Sequence, residues 1–205
     1  MTTDRLRLLQ IRTDRDSDVL DEVRRWFEEP DMLRWMGGIF GFDYLVSGLD
    51  APAEQRFTGQ KVPGEPVTMA WVGFDGEDRP VAFAGGEASV ERTSDPSDCT
   101  DHGLSSSVRT LGFVYIVSPE HRGLGYGRAI LHSVIEHSST TEVEVFSCTV
   151  DVDNKPSLAT MRRVRGFVEA DASAGKVPFS YSRAAAESEA RVCEKVLAQD
   201  NAGRR

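Results

Sequence analysis

The order of apolar and polar positions in the first third of the chain predicts one strand followed by helices. A short alternating run at residues 6–11 indicates the strand, and "DSDVLDEVRRWFEEPD" carries apolar residues at helical spacing. "MLRWM" predicts a second, short helix before the pair Gly37 and Gly38. Residues 39–66 have scattered aromatics with Gly and Pro between them, which indicates loops or short helices around a site.

The middle of the chain predicts an antiparallel hairpin. Its strands are "VTMAWVGF" and "PVAFAGGEASV", and the Asp75-Gly76 pair between them is a strong tight-turn signal. Residues 91–107 contain almost no apolar side chains and several acidic ones. They are therefore expected to form a long loop.

The second half predicts a strand, a helix and a parallel strand in succession. The first strand spans residues 110–117, a glycine-rich turn leads into a helix that ends near His137, and "EVEVFSCTVD" is the next strand. A further helix in "NKPSLATMRRVRG" is expected to end at Gly166, followed by strands in "FVEA" and "KVPFSYS". Residues 1–183 are expected to form one domain, and residues 184–205 a C-terminal helical tail.

Composition narrows the class of protein. At 205 residues with 40% hydrophobic content, the chain is long enough to bury one substantial core. No segment approaches the roughly 18 apolar residues of a membrane span, and charge stands where a signal peptide needs apolar residues. The sequence therefore predicts a cytoplasmic protein without a membrane partner.

Charge and cysteine content disfavour two kinds of site. With 33 acidic and 24 basic residues the net charge is −9, which repels a nucleic-acid backbone and favours cationic small molecules or basic peptides. Cys99, Cys148 and Cys193 lack the paired spacing of zinc ligands. We expect no nucleic-acid partner and no bound metal.

Three glycines lie within five residues at a helix entrance, in "VSPEHRGLGYGRAIL". A glycine costs roughly 1 kcal/mol relative to alanine inside a helix, so this cluster needs a local reason. A turn without side chains lets the free amides of the first helical turn reach an anion, and Arg122 adds a cation at its mouth. This arrangement favours a cofactor that carries a diphosphate.

The motif "RGLGYG" after a strand that ends in "VSP" resembles the acetyl-CoA signature of the GCN5-related N-acetyltransferases, the GNAT family. Asn154 before a helix that closes on Gly166-Phe167 matches a second block of that family, and "WFEEPDMLRWMGG" looks like the first-helix region of members that modify ribosomal-protein N-termini or aminoglycosides. The resemblance implies a mixed α/β (α+β) fold. Its sheet is twisted and mostly antiparallel, splays at a central parallel strand pair, and has helices on both faces.

The resemblance also implies which residues hold acetyl-CoA. The turn of Gly123, Leu124, Gly125, Tyr126 and Gly127 would hold the diphosphate, with Arg122 nearby. The pantetheine arm would follow backbone groups of Tyr115, Ile116 and Val117, as an added strand does. Asn154 would reach the pantetheine or act as a helix cap, and both roles are compatible.

The implied reaction is transfer of an acetyl group to a primary amine, with the backbone amide of Tyr115 stabilising the developing oxyanion. The chain departs from its relatives in two places. Met161 stands where many have a tyrosine acid, or Arg162 if the extra residue before Gly166-Phe167 is accommodated earlier, and Leu111 stands where others have a glutamate base. Glu87, Asp151 and Tyr181 are the candidate substitutes for these groups, with a solvated surface or strand-edge position as the alternative for each.

The acceptor is expected to be a small cationic amine or a peptide N-terminus, in a pocket walled by Trp35, Phe40, Phe42 and Tyr44, with core packing as the alternative role of Trp35. The missing acid and base leave open an alternative, a CoA-binding or sensing module with a protein partner. A third hypothesis gives the acidic segment 91–107 a role in docking a basic protein substrate. The resemblance also suggests a homodimer.

Overall fold

The computed structural model describes residues 6–49, 67–92 and 107–188. Its helices are α1 (Ser17–Trp26), α2 (Pro30–Met36), α3 (Gly38–Ser47), α4 (Tyr126–Glu136) and α5 (Lys155–Met161), and residues 183–188 are also helical. Its strands are β1 (Arg7–Gln10), β2 (Val67–Phe74), β3 (Pro80–Arg92), β4 (Ser107–Val117), β5 (Val145–Asp151), β6 (Phe167–Glu169) and β7 (Lys176–Ser182).

The strands form one sheet in the order β1-β2-β3-β4-β5-β7-β6. Every neighbouring pair is antiparallel except β4 and β5, which are parallel and are connected through α4. A parallel pair needs such a crossover, because a tight turn can only join antiparallel strands. The predicted mixed sheet with a central parallel pair is therefore confirmed.

Each face of the sheet is covered by helices, as predicted. Trp71 and Phe146 belong to the core on the face where α4 contributes Ile130, Leu131 and Val134. The opposite core joins α1 and α3 to the sheet through the residues Val23, Trp26, Phe42 and Phe83. Successive strand residues point to opposite faces, so one strand can serve both cores.

β3 and β4 extend into the segment 91–107 that was predicted as a loop, and the prediction that β4 begins at residue 110 was wrong. β3 extends to Arg92 and β4 begins at Ser107, with Glu91 opposite Val108 and Arg92 opposite Ser107. Backbone pairing can continue there because a ladder is formed by main-chain groups and needs no apolar side chains. Residues 93–106, the centre of the hypothesised protein-docking segment, lie outside the described residues.

The helix predicted up to Gly166 ends earlier, at Met161. The next residues form tighter turns, in which the amides of Arg163 and Val164 donate to the carbonyls of Thr160 and Met161 at 3.0 and 3.1 Å. Gly166 then takes a left-handed φ of +89° and leads into β6. The apolar stripe continues past the helix because these turns keep Val164 in the core.

Arg183 anchors the end of the last strand to the body of the fold. Its guanidinium donates to the carbonyl oxygens of Ile135, Val143 and Thr140 at 2.6, 2.7 and 2.9 Å. The start of the predicted tail is helical as far as residue 188, and residues 189–205 lie outside the described part.

Two further expectations can be compared with the described ranges. None of the helices there is long and apolar enough to cross a lipid bilayer. The same ranges hold no group of three or more His, Cys, Asp or Glu side chains arranged to bind a metal ion.

Candidate active site

A gap opens in the sheet where β4 and β5 stop pairing. Their parallel register covers only three pairs and ends at Gly112 and Ser147. Beyond this point lies a cavity of about 910 Å³, walled by β4, β5, the glycine turn, α5 and α2. A cavity of this size at the carboxyl ends of parallel strands is where mixed sheets commonly bind ligands.

The edge of β4 presents free backbone groups to this gap. The Ser118 N–H donates to the Val81 carbonyl of β3 at 3.0 Å. Because successive strand residues turn their polar backbone groups to opposite edges, those of Tyr115 and Val117 face the gap. Ile116 lines the cavity, but its N–H and carbonyl face β3, so the predicted backbone contact to a cofactor does not extend to this residue.

The glycine turn has the backbone that its sequence requires. Gly123 and Gly125 take φ values of +78° and +91°, which residues with a Cβ adopt at a cost. Gly127 lies inside α4, where an added Cβ would stand 3.2 Å from the Tyr115 ring and 3.3 Å from Thr160. Two of the glycines therefore form the turn, and the third lets α4 pack closely on β4 and α5.

The entrance of α4 carries unused hydrogen-bond donors. Gly125 is the cap residue and has no side chain to cap the helix. Among the described residues, no acceptor receives a hydrogen bond from the amides of Gly125, Tyr126 or Gly127. These amides lie at the edge of the large cavity, so they can bind an anion there.

Three arginines also line the cavity: Arg122, Arg128 and Arg163. Arg122 lies 3.8 Å from Glu29, the residue just before α2, and both side chains are about two-fifths exposed. Arg34 of α2 contacts Asp153 before α5 at 3.0 Å. These two ion pairs connect α2 to both sides of the cavity.

Replacing Glu29 by glutamine is expected to tighten coenzyme A binding about two- to fivefold. The change releases Arg122 from an exposed ion pair worth at most about 1 kcal/mol. Calorimetric titration with coenzyme A measures the effect. Glu28→Gln is the matched control. It removes the same charge from the neighbouring residue, whose carboxylate contacts Arg24 rather than Arg122. Equal affinities for the two variants would contradict a role for Arg122 at this site.

Asn154 acts as the helix cap that its position predicted. Its Oδ1 accepts a hydrogen bond from the Ser157 amide at 3.2 Å. Ser157 Oγ lies 2.9 Å from the Tyr115 hydroxyl, which ties α5 to β4. Burial raises the pKa of Tyr115, so its hydroxyl stays protonated at neutral pH. Asn154 also lines the cavity, and its contact with a cofactor remains a prediction.

Cys148 is a cavity residue with a suppressed reactivity. Burial raises the pKa of its thiol to about 12, and its Sγ lies 4.0 Å from the Met161 sulfur. A thiol with this pKa is almost fully protonated near neutral pH and is a poor nucleophile. The site is therefore suited to direct transfer between two bound molecules rather than through an acylated cysteine.

Cys148 is expected to react with iodoacetamide at pH 8 about a thousandfold more slowly in the folded protein than in urea. The factor follows from the thiolate populations at a pKa of about 12 and at the roughly 8.5 of a free thiol. Peptide-resolved mass spectrometry separates Cys148 from the other two cysteines. Fast labelling of Cys148 in the folded protein would contradict the raised pKa of its thiol and would favour transfer through an acylated cysteine.

A second cavity of about 450 Å³ adjoins the first and shares Trp35, Met36 and Val114 with it. Glu87 of β3 lines this second cavity, and the Tyr44 hydroxyl of α3 donates to its Oε1 at 3.2 Å. The two cavities meet over the sheet face of β4. A group bound at Glu87 therefore has a route to a group bound in the gap.

Of the remaining residues predicted for the site, some line the two cavities and others do not. Asp151 lines the first cavity, 4.0 Å from Lys176, whereas Tyr181 packs against Phe146 and Phe167 and lines neither cavity. Phe40 is 82% exposed and also lies outside both cavities. The other three predicted pocket aromatics, Trp35, Phe42 and Tyr44, line the second cavity.

The positions that depart from the family pattern carry no acid or base for the reaction. Met161 and Leu111 are fully buried in the core, and neither side chain has a proton to exchange. Arg162, the alternative position for the acid, donates to Glu169 at 2.6 and 2.7 Å. The sequence interpretation missed Arg128 and Arg163. A basic residue in the first turn after the glycines was a usable signal for Arg128, but only the packing of the segment after α5 reveals Arg163.

Solved structures with the same fold include acetyltransferases. An aminoglycoside acetyltransferase bound to ribostamycin and coenzyme A superimposes with a TM-score of 0.55 at 15% identity, over 88% of this chain and 96% of that one. A spermidine N-acetyltransferase from Vibrio cholerae, with CoA and spermine, gives 0.55 at 14% identity, over 87% and 96%. An aminoglycoside acetyltransferase from Legionella pneumophila gives 0.54 at 16%, over 89% and 94%.

Sequence comparison gives the family. No curated protein matches the chain. The model of the acetyltransferase (GNAT) family matches residues 21–167, from within α1 to the first residue of β6. This range contains the glycine turn, both edges of the gap and the carboxylate of the second cavity. The chain therefore belongs to the GNAT family of acetyl-CoA-dependent N-acetyltransferases.

Proposed function

We propose that this protein transfers the acetyl group of acetyl-CoA to a primary amine held in the second cavity. The observation that carries the proposal is the junction of the two cavities. The free amides of α4 and the open edge of β4 line the first, and Glu87 lines the second. We assign the activity to a single domain of residues 1–183, which the anchoring of Arg183 supports.

The residues of the first cavity fit coenzyme A. Its diphosphate needs hydrogen-bond donors and positive charge, and the α4 entrance with Arg122, Arg128 and Arg163 offers both. Its pantetheine arm carries amide groups, and the gap-facing backbone groups of Tyr115 and Val117 can pair with them. When bound, acetyl-CoA supplies an acetyl group activated as a thioester.

Two groups of the chain serve the transfer. We expect the Glu87 carboxylate, which lines the second cavity, to receive the proton that an ammonium ion must lose before its nitrogen can attack. The Tyr115 amide faces the gap and can donate a hydrogen bond to the oxygen that gains negative charge. Asp151 lies beside Lys176 in the first cavity and is better suited to binding than to deprotonating the acceptor.

Incubation of the purified protein with acetyl-CoA and a panel of amines tests the proposal. Transfer is detected as free CoA thiol together with an amine that has gained one acetyl group in mass spectrometry. A reaction without amine measures background thioester hydrolysis. Binding of acetyl-CoA with no transfer to any amine would overturn the proposed enzymatic activity and favour the alternative of a CoA-binding module. Absence of acetyl-CoA binding would overturn both hypotheses.

A further inference from the structure

The side chains that line the second cavity indicate which kind of amine it can bind. Four aromatic side chains line it: Phe27, Trp35, Phe42 and Tyr44. Among the described residues of its lining, Glu87 is the single charged side chain. The cavity therefore offers one ionic contact and a largely apolar surface.

We propose that the preferred acceptor is a primary monoamine carried on an apolar, preferably aromatic, group. This inference rests on the proposed function and adds the substrate class. The ammonium group pairs with Glu87, and the apolar group packs against the aromatic side chains. The volume of about 450 Å³ lies within the range of small-molecule sites, roughly 300–1,000 Å³.

The Glu87 carboxylate is the one anionic partner for an ammonium group in the described lining of the second cavity. The Tyr44 hydroxyl donates to its Oε1 at 3.2 Å, which leaves Oε2 for the acceptor. A second ammonium group on the same molecule would find no further carboxylate in that lining, so an amine with several such groups gains no second ion pair there. Polyamines and aminoglycosides carry several such groups.

The floor of the cavity is open above Gly112, which lies on the face of the sheet from which Glu87 projects. Leu45 of α3 covers the neighbouring Gly85, where an added Cβ would stand 2.9 Å from the Leu45 side chain. An added Cβ at Gly112 would meet only the Glu87 carbonyl oxygen, at 3.9 Å, so space is open above this residue. The opening lies beside Val114, which both cavities share, and leads toward the gap.

The test compares kcat/KM for 2-phenylethylamine, spermine, ribostamycin and a short peptide with a free N-terminus. We expect the aromatic monoamine to exceed each of the others by about tenfold or more, as pocket complementarity commonly yields. Equal or better use of spermine, ribostamycin or the peptide would overturn this substrate class and leave the proposed transferase intact. Failure of every amine, with acetyl-CoA bound, would overturn both.

A variant extends the test to the pocket itself. Ser89 lines the second cavity on the same strand as Glu87, so Ser89→Glu adds a second carboxylate there. We expect this change to shift the ratio of kcat/KM toward spermine by about tenfold. Ser173→Glu is the matched control, since it adds the same group at an exposed position in the turn before β7, away from both cavities. An equal shift in both variants, or in neither, would overturn the assignment of this cavity to the amine.

Discussion

Replacing Gly123 by valine is expected to weaken acetyl-CoA binding about 100-fold or more. Gly123 has a φ of +78° and lines the first cavity, with no atom within 4 Å of an added Cβ. A β-branched residue disfavours this backbone by roughly 1–2 kcal/mol and places its methyl groups where the diphosphate is expected. Loss of two charge-assisted hydrogen bonds, about 1.5 kcal/mol each, accounts for the factor. Calorimetry measures the affinity.

Gly175→Val provides the control for backbone strain. Gly175 has nearly the same φ, +76°, and equally open surroundings, but lies in the turn before β7 and lines neither cavity. Both variants are expected to lose similar stability in thermal unfolding, and only Gly123→Val to lose the cofactor. Equal acetyl-CoA affinities in the two variants would show that the glycine turn does not hold the diphosphate.

Replacing Glu87 by glutamine is expected to lower kcat/KM for the amine about 100-fold or more, with acetyl-CoA affinity unchanged. Glutamine keeps the shape of the side chain and its contact with Tyr44, but it cannot accept a proton or pair with an ammonium ion. General base catalysis commonly contributes roughly 10²–10⁴-fold, which sets the expected size. Steady-state kinetics and a separate calorimetric titration distinguish turnover from cofactor binding.

A matched variant separates a base from a general loss of negative charge. Glu77→Gln, at an exposed glutamate in the β2–β3 turn, is expected to keep the native kcat/KM for the amine. Retention of the native kcat/KM by Glu87→Gln would remove Glu87 from the mechanism and leave the acceptor without a base from the second cavity.

The glycine turn and the open edge of β4 could be predicted from the sequence because these parts are adjacent in the chain. A strand, a glycine turn and a helix entrance within residues 110–127 define the free amides by local backbone geometry. Tyr115 and Val117 face the gap because strand alternation follows from residue number. Ile116 was placed there with them because the sequence does not say which edge of β4 meets β3.

The second cavity could be predicted only in part, because its residues are distant in the chain. Glu87, Trp35, Phe42 and Tyr44 were predicted for a site and line this cavity, but the hydrogen bond between Glu87 and Tyr44, 43 residues apart, depends on how α3 packs over the sheet. Tyr181 has a residue type suited to catalysis, but its ring packs against Phe146 and Phe167 at the edge of the core. Residue type alone could not separate these cases, because burial and orientation depend on the register of β3, β5 and β7.

The sequence by itself determined the order of elements, the glycine turn before α4 and the membership of an acetyltransferase family, since each depends on local patterns. Only the tertiary structure decided where the sheet splits, that a second cavity meets the first, and that one carboxylate with aromatic walls lies there. The physical reason is that side chains far apart in the chain are brought together by packing and strand register. The free energy of that arrangement comes from many contacts across the fold and does not depend on any one short segment.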